Sequence, residues 1–252
     1  QINIGKSILI NPTSSLKFNG DINNQGTVAI ISNSTSYGSL IPSLSSDIID
    51  DNDPVTDNFV YFRHVNSTAT LSSNSGNDLI SSPLSGDNFG AFAARNLTNL
   101  LFNPSNPVEK AFGPFTTESD APAYVNYVFG TDDLEPLRSG KGYRATTISP
   151  GLSLEFSGKP ENNDVSISIV NNGDTAYKSW NLIGNPYSAY LSAEAEELIN
   201  LNQLDTGFGA LYMYNAGTAG SGTTSTGSYP GATLQGNYAV LSVSYLIDPQ
   251  NA

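Results

Sequence analysis

Asn77-Asp78-Leu79-Ile80-Ser81-Ser82-Pro83-Leu84-Ser85 and Trp180-Asn181-Leu182-Ile183-Gly184-Asn185-Pro186-Tyr187-Ser188 are two versions of one pattern, a hundred-odd residues apart. In each, a Leu-Ile pair carries a strand into the core, and a small residue and a polar one let the backbone turn. Proline, whose φ is fixed at about −65°, then takes the chain out of the sheet. Asp78 and Asn181 are placed to tie these corners by side-chain to backbone hydrogen bonds. A helix-like segment, Tyr-rich alternating strands and a Pro/Gly turn follow each corner. The chain therefore reads as one structural unit used twice, over 59–158 and 159–252.

Working outward, 59–65 alternates with Phe59, Tyr61, Arg63 and Val65 on one face, as a strand does. A short helix is expected within 89–102, and strands at 123–129, 143–148 and 152–157. In the second copy, 165–170 alternates as a half-buried antiparallel strand. Ser192 can cap a helix whose first turn holds Glu194, Glu196 and Glu197. Strands are expected again near 210–214 and 238–247, separated by a Gly/Ser/Thr loop.

Ahead of the repeat, Ile4, Ile8, Ile10, Leu16, Phe18, Ile22, Val28, Ile30 and Leu40 recur at strand spacing, broken by Asn11-Pro12, Asn19-Gly20 and Asn24-Gln25-Gly26. Turn signals this close together suit rungs of a small solenoid-like element, or a meander, better than long sandwich strands. The text then becomes acidic and polar. The expected fold class is all-β: an N-terminal short-strand meander or solenoid-like element over 1–45, an acidic linker or loop over 46–58, then duplicated antiparallel β-sandwich units, each with one short helix.

Composition agrees. Gly, Ser, Asn and Thr are abundant, which suits short strands and many turns. With 10 basic and 23 acidic side chains, the net charge of −13 argues against nucleic-acid binding, which needs clustered Lys and Arg. No cysteine is present, so disulfide and thiolate chemistry are excluded. No apolar run approaches the ~20 residues that cross a bilayer as a helix. Residue 1 is Gln, followed directly by strand-like text, as in a mature chain whose signal peptide has been removed.

The string from Trp180 to Tyr187 resembles a signature of large exported surface proteins of Bacteroidota, cargo of the type IX secretion system. The stretch from Leu16 to Val28, and a strand ending in Phe62-Arg63, extend the resemblance over most of the chain. It implies export, an extracellular cell-surface location, an adhesin or display role, and passage through the outer-membrane export machinery. It carries over no catalytic residues. In similar proteins an aromatic strand and a sorting domain follow the text at Leu246-Ile247-Asp248-Pro249; here the second copy stops one strand short. Either the chain is a shortened form, or a sheet edge is left open for strand addition by another segment or for self-association.

Candidate sites are few. Neutral glycans are held by aromatic faces and amides, which singles out Trp180, Tyr187, Tyr190, Tyr212 and Tyr214. Calcium takes carboxylate and carbonyl oxygens; Asp47, Asp50, Asp51, Asp53 and Asp57 are the main candidate set, with Asp132, Asp133 and Glu135 behind them. Asp174-Thr175-Ala176 resembles the short O-glycosylation site of Bacteroidota exoproteins, marking Thr175. His64, the one histidine, has no nucleophile beside it and reads as a packed or surface residue. A glycoside-active enzyme would need two carboxylates facing across a cleft, and the sequence singles out no pair. The expectation is a non-enzymatic surface protein, with a glycan-binding module as the alternative.

Overall fold

The structure, a computed structural model, describes residues 1–3, 5–43, 46–50, 59–66, 77–118, 124–173, 179–191, 210–214, 232–235 and 238–242. Among the described residues the regular elements are strands in several small sheets, with one short helix. No described helix is long and apolar enough to cross a membrane.

The first six strands are β1 (Ser7–Ile10), β2 (Ser15–Phe18), β3 (Ile22–Asn24), β4 (Thr27–Ile31), β5 (Ser39–Pro42) and β6 (Ile48–Asp50). They stack as two three-sided rungs: β1 on β4, β2 on β5 and β3 on β6, every pair parallel. The turn signals at Asn11-Pro12, Asn19-Gly20 and Gln25-Gly26 are the corners. Asn24, fully buried, accepts the Gly26 N–H at 3.1 Å. Like stacks on like along the register, Leu16 against Leu40 and Ile10 against Ile30, so each apolar position meets another when a rung is added. The first residues of the acidic stretch belong to this stack, since β6 pairs with β3.

β7 (Phe59–His64) continues the first side of the stack, parallel to β4. Its other edge meets an antiparallel partner from far along the chain. After β8 (Asp78–Ser81) and β9 (Leu84–Ser85) come α1 (Phe89–Arg95), β10 (Phe102–Asn103), β11 (Asn106–Lys110) and β12 (Phe112–Pro114). β13 (Gly142–Ala145) lies between β12 and β8, antiparallel to both. β14 (Ser153–Ser157) closes on β7, and β15 (Lys159–Pro160) on β9. A last sheet joins β16 (Ala210–Tyr214) and β17 (Ala232–Gln235) to β18 (Tyr238–Ser242), which lies between them.

One contiguous core runs from the rung interior, with Val28, Ile30, Leu40, Phe59 and Tyr61, into an aromatic cluster of Phe89, Phe92, Phe112, Tyr143 and Phe156. Two expectations shift in detail. Tyr124 and Val128 make single bridges rather than a continuous strand. Residues 165–170 join no ladder among the described residues. Instead, the Asn181 amide takes the place of a strand partner: its Oδ1 accepts the Val170 N–H at 3.0 Å and its Nδ2 donates to the Val170 carbonyl at 2.9 Å. The helix expected after Ser192 lies outside the described residues.

Candidate functional site

The two corners of the repeat meet. Ser81 of the first pairs with Gly142 on β13, and Ile183 of the second bridges Lys141, the preceding residue. The Gly142 N–H donates to the Leu182 carbonyl at 3.1 Å, and the Gly184 N–H to the Gly140 carbonyl at 2.9 Å. A Cβ at Gly184 would collide with the Ser81 side chain, which explains a glycine where the first corner carries serine. Ser81 Oγ in turn donates to the Asn185 carbonyl at 2.9 Å. Both predicted ties exist, but each reaches beyond its own turn. Asp78 accepts the N–H groups of Leu79 at 2.9 Å and Asn66 at 3.0 Å, while Asn181 holds Val170. Asn185 ties the second corner locally, accepting the Tyr187 N–H at 2.9 Å.

Beyond Pro186 the chain crosses to the rung stack. The Leu40 N–H donates to the Ser188 carbonyl at 2.7 Å, and the Tyr37 N–H to the Tyr190 hydroxyl at 3.2 Å. Between rungs and corners lies a groove of ≈ 350 Å³, its walls including Tyr37, Arg63, Ser81, Asn185, Tyr187 and Tyr190. Tyr37 and Tyr190 meet edge to face, ring centres 5.7 Å apart, and Arg63 lies 4.7 Å over the Tyr37 ring. A smaller hollow of ≈ 160 Å³, lined by Leu40, Pro42, Glu161, Asn162 and Asn163, shares Tyr187 and Tyr190 with it, so these two rings form the ridge between the hollows.

The electrostatics behind the groove follow from burial. Asp78 is 5% exposed. Burial holds its carboxyl above the usual carboxylate range, against the pull of Arg63 and the two backbone bonds. Burial, and then the Arg63 charge, push the His64 imidazole below its ordinary value, with Asp78 opposing. Burial raises the Tyr61 phenol, partly offset by Arg63.

Of the aromatic candidates, the structure brings Tyr187 and Tyr190 together at the groove. Tyr190 is 66% exposed. Trp180, 47% exposed, packs instead on Tyr212, ring centres 4.7 Å apart, and Tyr214 lies half-buried on β16. None of these three lines the groove. Sequence reasoning missed Tyr37 and Arg63. Arg63 carried a signal: it is the one charged residue on the strand face of Phe59, Tyr61 and Val65. Tyr37 carried none, sitting in a Ser/Thr loop.

Among the described residues no group of three or more His, Asp or Glu side chains is arranged to hold a metal ion. Asp132 accepts the Val128 N–H and Asp133 the Gly130 N–H, both at 2.7 Å, so both serve a turn. Asp47 is exposed, its N–H donating to Asp21 at 2.9 Å, and Asp50 has its backbone in β6. Asp51, Asp53, Asp57 and Thr175 lie outside the described residues.

Comparison with protein-family models, with curated proteins and with solved structures finds no match to this chain.

Proposed function

We propose that this is a non-enzymatic protein displayed at the cell exterior, exported as cargo of the type IX secretion machinery, whose β scaffold presents a glycan-binding groove. One observation carries the binding reading. Tyr37, Tyr187 and Tyr190 converge with the Asn185 amide and the Ser81 hydroxyl on one concave surface. Rings that cover the apolar faces of a sugar, with the acceptor lone pairs that Ser81 Oγ and Asn185 Oδ1 keep beyond their internal bonds to meet its hydroxyls, are chemistry that holds a glycan. Export and surface display rest on the resemblance of the Trp180 to Tyr187 string, and we read the two corners as a duplication of one antiparallel sandwich-type unit.

The test is a glycan array followed by titration calorimetry. A Tyr190→Ala change removes an exposed ring whose loss leaves the buried core untouched, and stacked rings contribute about 1 kcal/mol or more. Affinity for the captured glycan should fall roughly 5- to 10-fold while the far-UV circular dichroism stays that of wild type. A flat array, or a hit indifferent to both Tyr187→Ala and Tyr190→Ala, would refute the groove as a sugar site. Protease shaving of intact cells that leaves the protein untouched would refute surface display.

A further inference from the structure

Among the described residues the groove has a single charged residue in its lining, Arg63, in a chain where acidic side chains outnumber basic ones by 23 to 10. Its guanidinium is held in place and makes no ion pair among the described residues. Nη1 donates to the His64 carbonyl at 3.0 Å, and the plane rests on Tyr37. No described carboxylate lies within ion-pair distance of it. Asp78, the nearby acid, is taken up by the N–H groups of Asn66 and Leu79. The donors of Arg63 that remain suit the two oxygens of a carboxylate, the geometry in which arginine surpasses lysine. The second hollow has the opposite character: its one charged lining residue is Glu161, beside the amides of Asn162 and Asn163.

Resting on the glycan reading above, we infer that the site selects an acidic oligosaccharide. A carboxylate-bearing sugar unit sits against Arg63 in the larger hollow, and a neutral unit lies beyond the Tyr187/Tyr190 ridge. The opposed charges of Arg63 and Glu161 fix the direction in which the chain of sugars lies. The net charge of the protein repels such a ligand at long range, but at physiological salt that field fades beyond about 8 Å. Selection therefore depends on contact with Arg63 itself.

The probes are hyaluronan and unsulfated chondroitin fragments, in which uronate and neutral sugar units alternate, each paired with its carboxyl-reduced neutral counterpart and titrated into wild type, Arg63→Met and Arg63→Lys. For at least one pair the acidic form should bind wild type about tenfold or more tighter than the reduced form, with the gap narrowing as salt is raised. Arg63→Met should erase the gap by weakening the acidic form far more than the neutral form, and a cooperative thermal melt shows that the variant is folded. Arg63→Lys should keep part of the gap. Equal binding of acidic and reduced forms, or a preference that survives Arg63→Met, overturns the inference and leaves the glycan reading standing. If no member of any pair binds and the glycan array is also empty, the glycan reading itself falls, and this inference with it.

Discussion

His64 and Asp78 show how a few residues around Arg63 make stability depend on pH. The His64 imidazole is held below its ordinary value, so as pH falls the unfolded chain takes up this proton before the folded one does. Its contribution is therefore complete above about pH 6.5 and is lost as pH drops toward the folded value. Asp78 works in the opposite sense. Its raised folded value makes it cheapest to bury when protonated, so its contribution is present at acid pH and is lost as pH rises through that value. The two are separable by substitution. Thermal melts of wild type and His64→Gln from pH 8 to pH 5 should converge toward the acid end, wild type losing more on acidification. Parallel curves would show that His64 titrates alike in both states.

At the scale of elements, α1 is too short to be helical alone and depends on what holds it. The Asn88 side chain caps its start, accepting the Ala91 N–H at 2.9 Å. At its end Asn96 acts as a strand partner for β14, accepting the Glu155 N–H at 2.8 Å and donating to the Glu155 carbonyl at 2.9 Å. Phe92, fully buried, stands 4.6 Å from the Phe112 ring and 4.8 Å from that of Phe156. Phe92→Ala should cost about 3–5 kcal/mol, seen as a lower urea midpoint at unchanged slope; a loss under ~1 kcal/mol would mean that the cluster repacks. Elements of this kind were partly legible in sequence. The rung corners were, because Asn-Pro and Asn-Gly fix turns locally. The parallel stacking of β1, β4 and β7 was not, since register between distant segments leaves no local trace. Residues 165–170 kept the alternation of a strand, yet an asparagine amide satisfies the backbone that a ladder would have paired. The groove was legible only through Tyr187 and Tyr190, because Tyr37, Arg63 and Ser81 come from separate segments that only the tertiary fold assembles.

At the scale of the whole molecule, β7 belongs to two systems at once, parallel to β4 and antiparallel to β14. The rung stack and the sheets of β8–β14 share one core, with β7 common to β4 and β14, so neither can melt while the other stays intact. Far-UV circular dichroism and the fluorescence of Trp180, which packs on Tyr212 at the far side of the second corner, should lose signal at the same temperature. Two separated transitions would show that the β16–β18 sheet unfolds independently. A last consequence comes from β13, where Gly142 and Lys141, adjacent in the chain, each hold one of the two Leu-Ile corners. Two corners fixed to neighbouring peptide units have no joint between them to flex, so the corner side of the cleft is a preformed wall. A guest laid against it gives up its own freedom and demands little ordering from that side of its host, the condition under which a shallow recess still achieves selectivity.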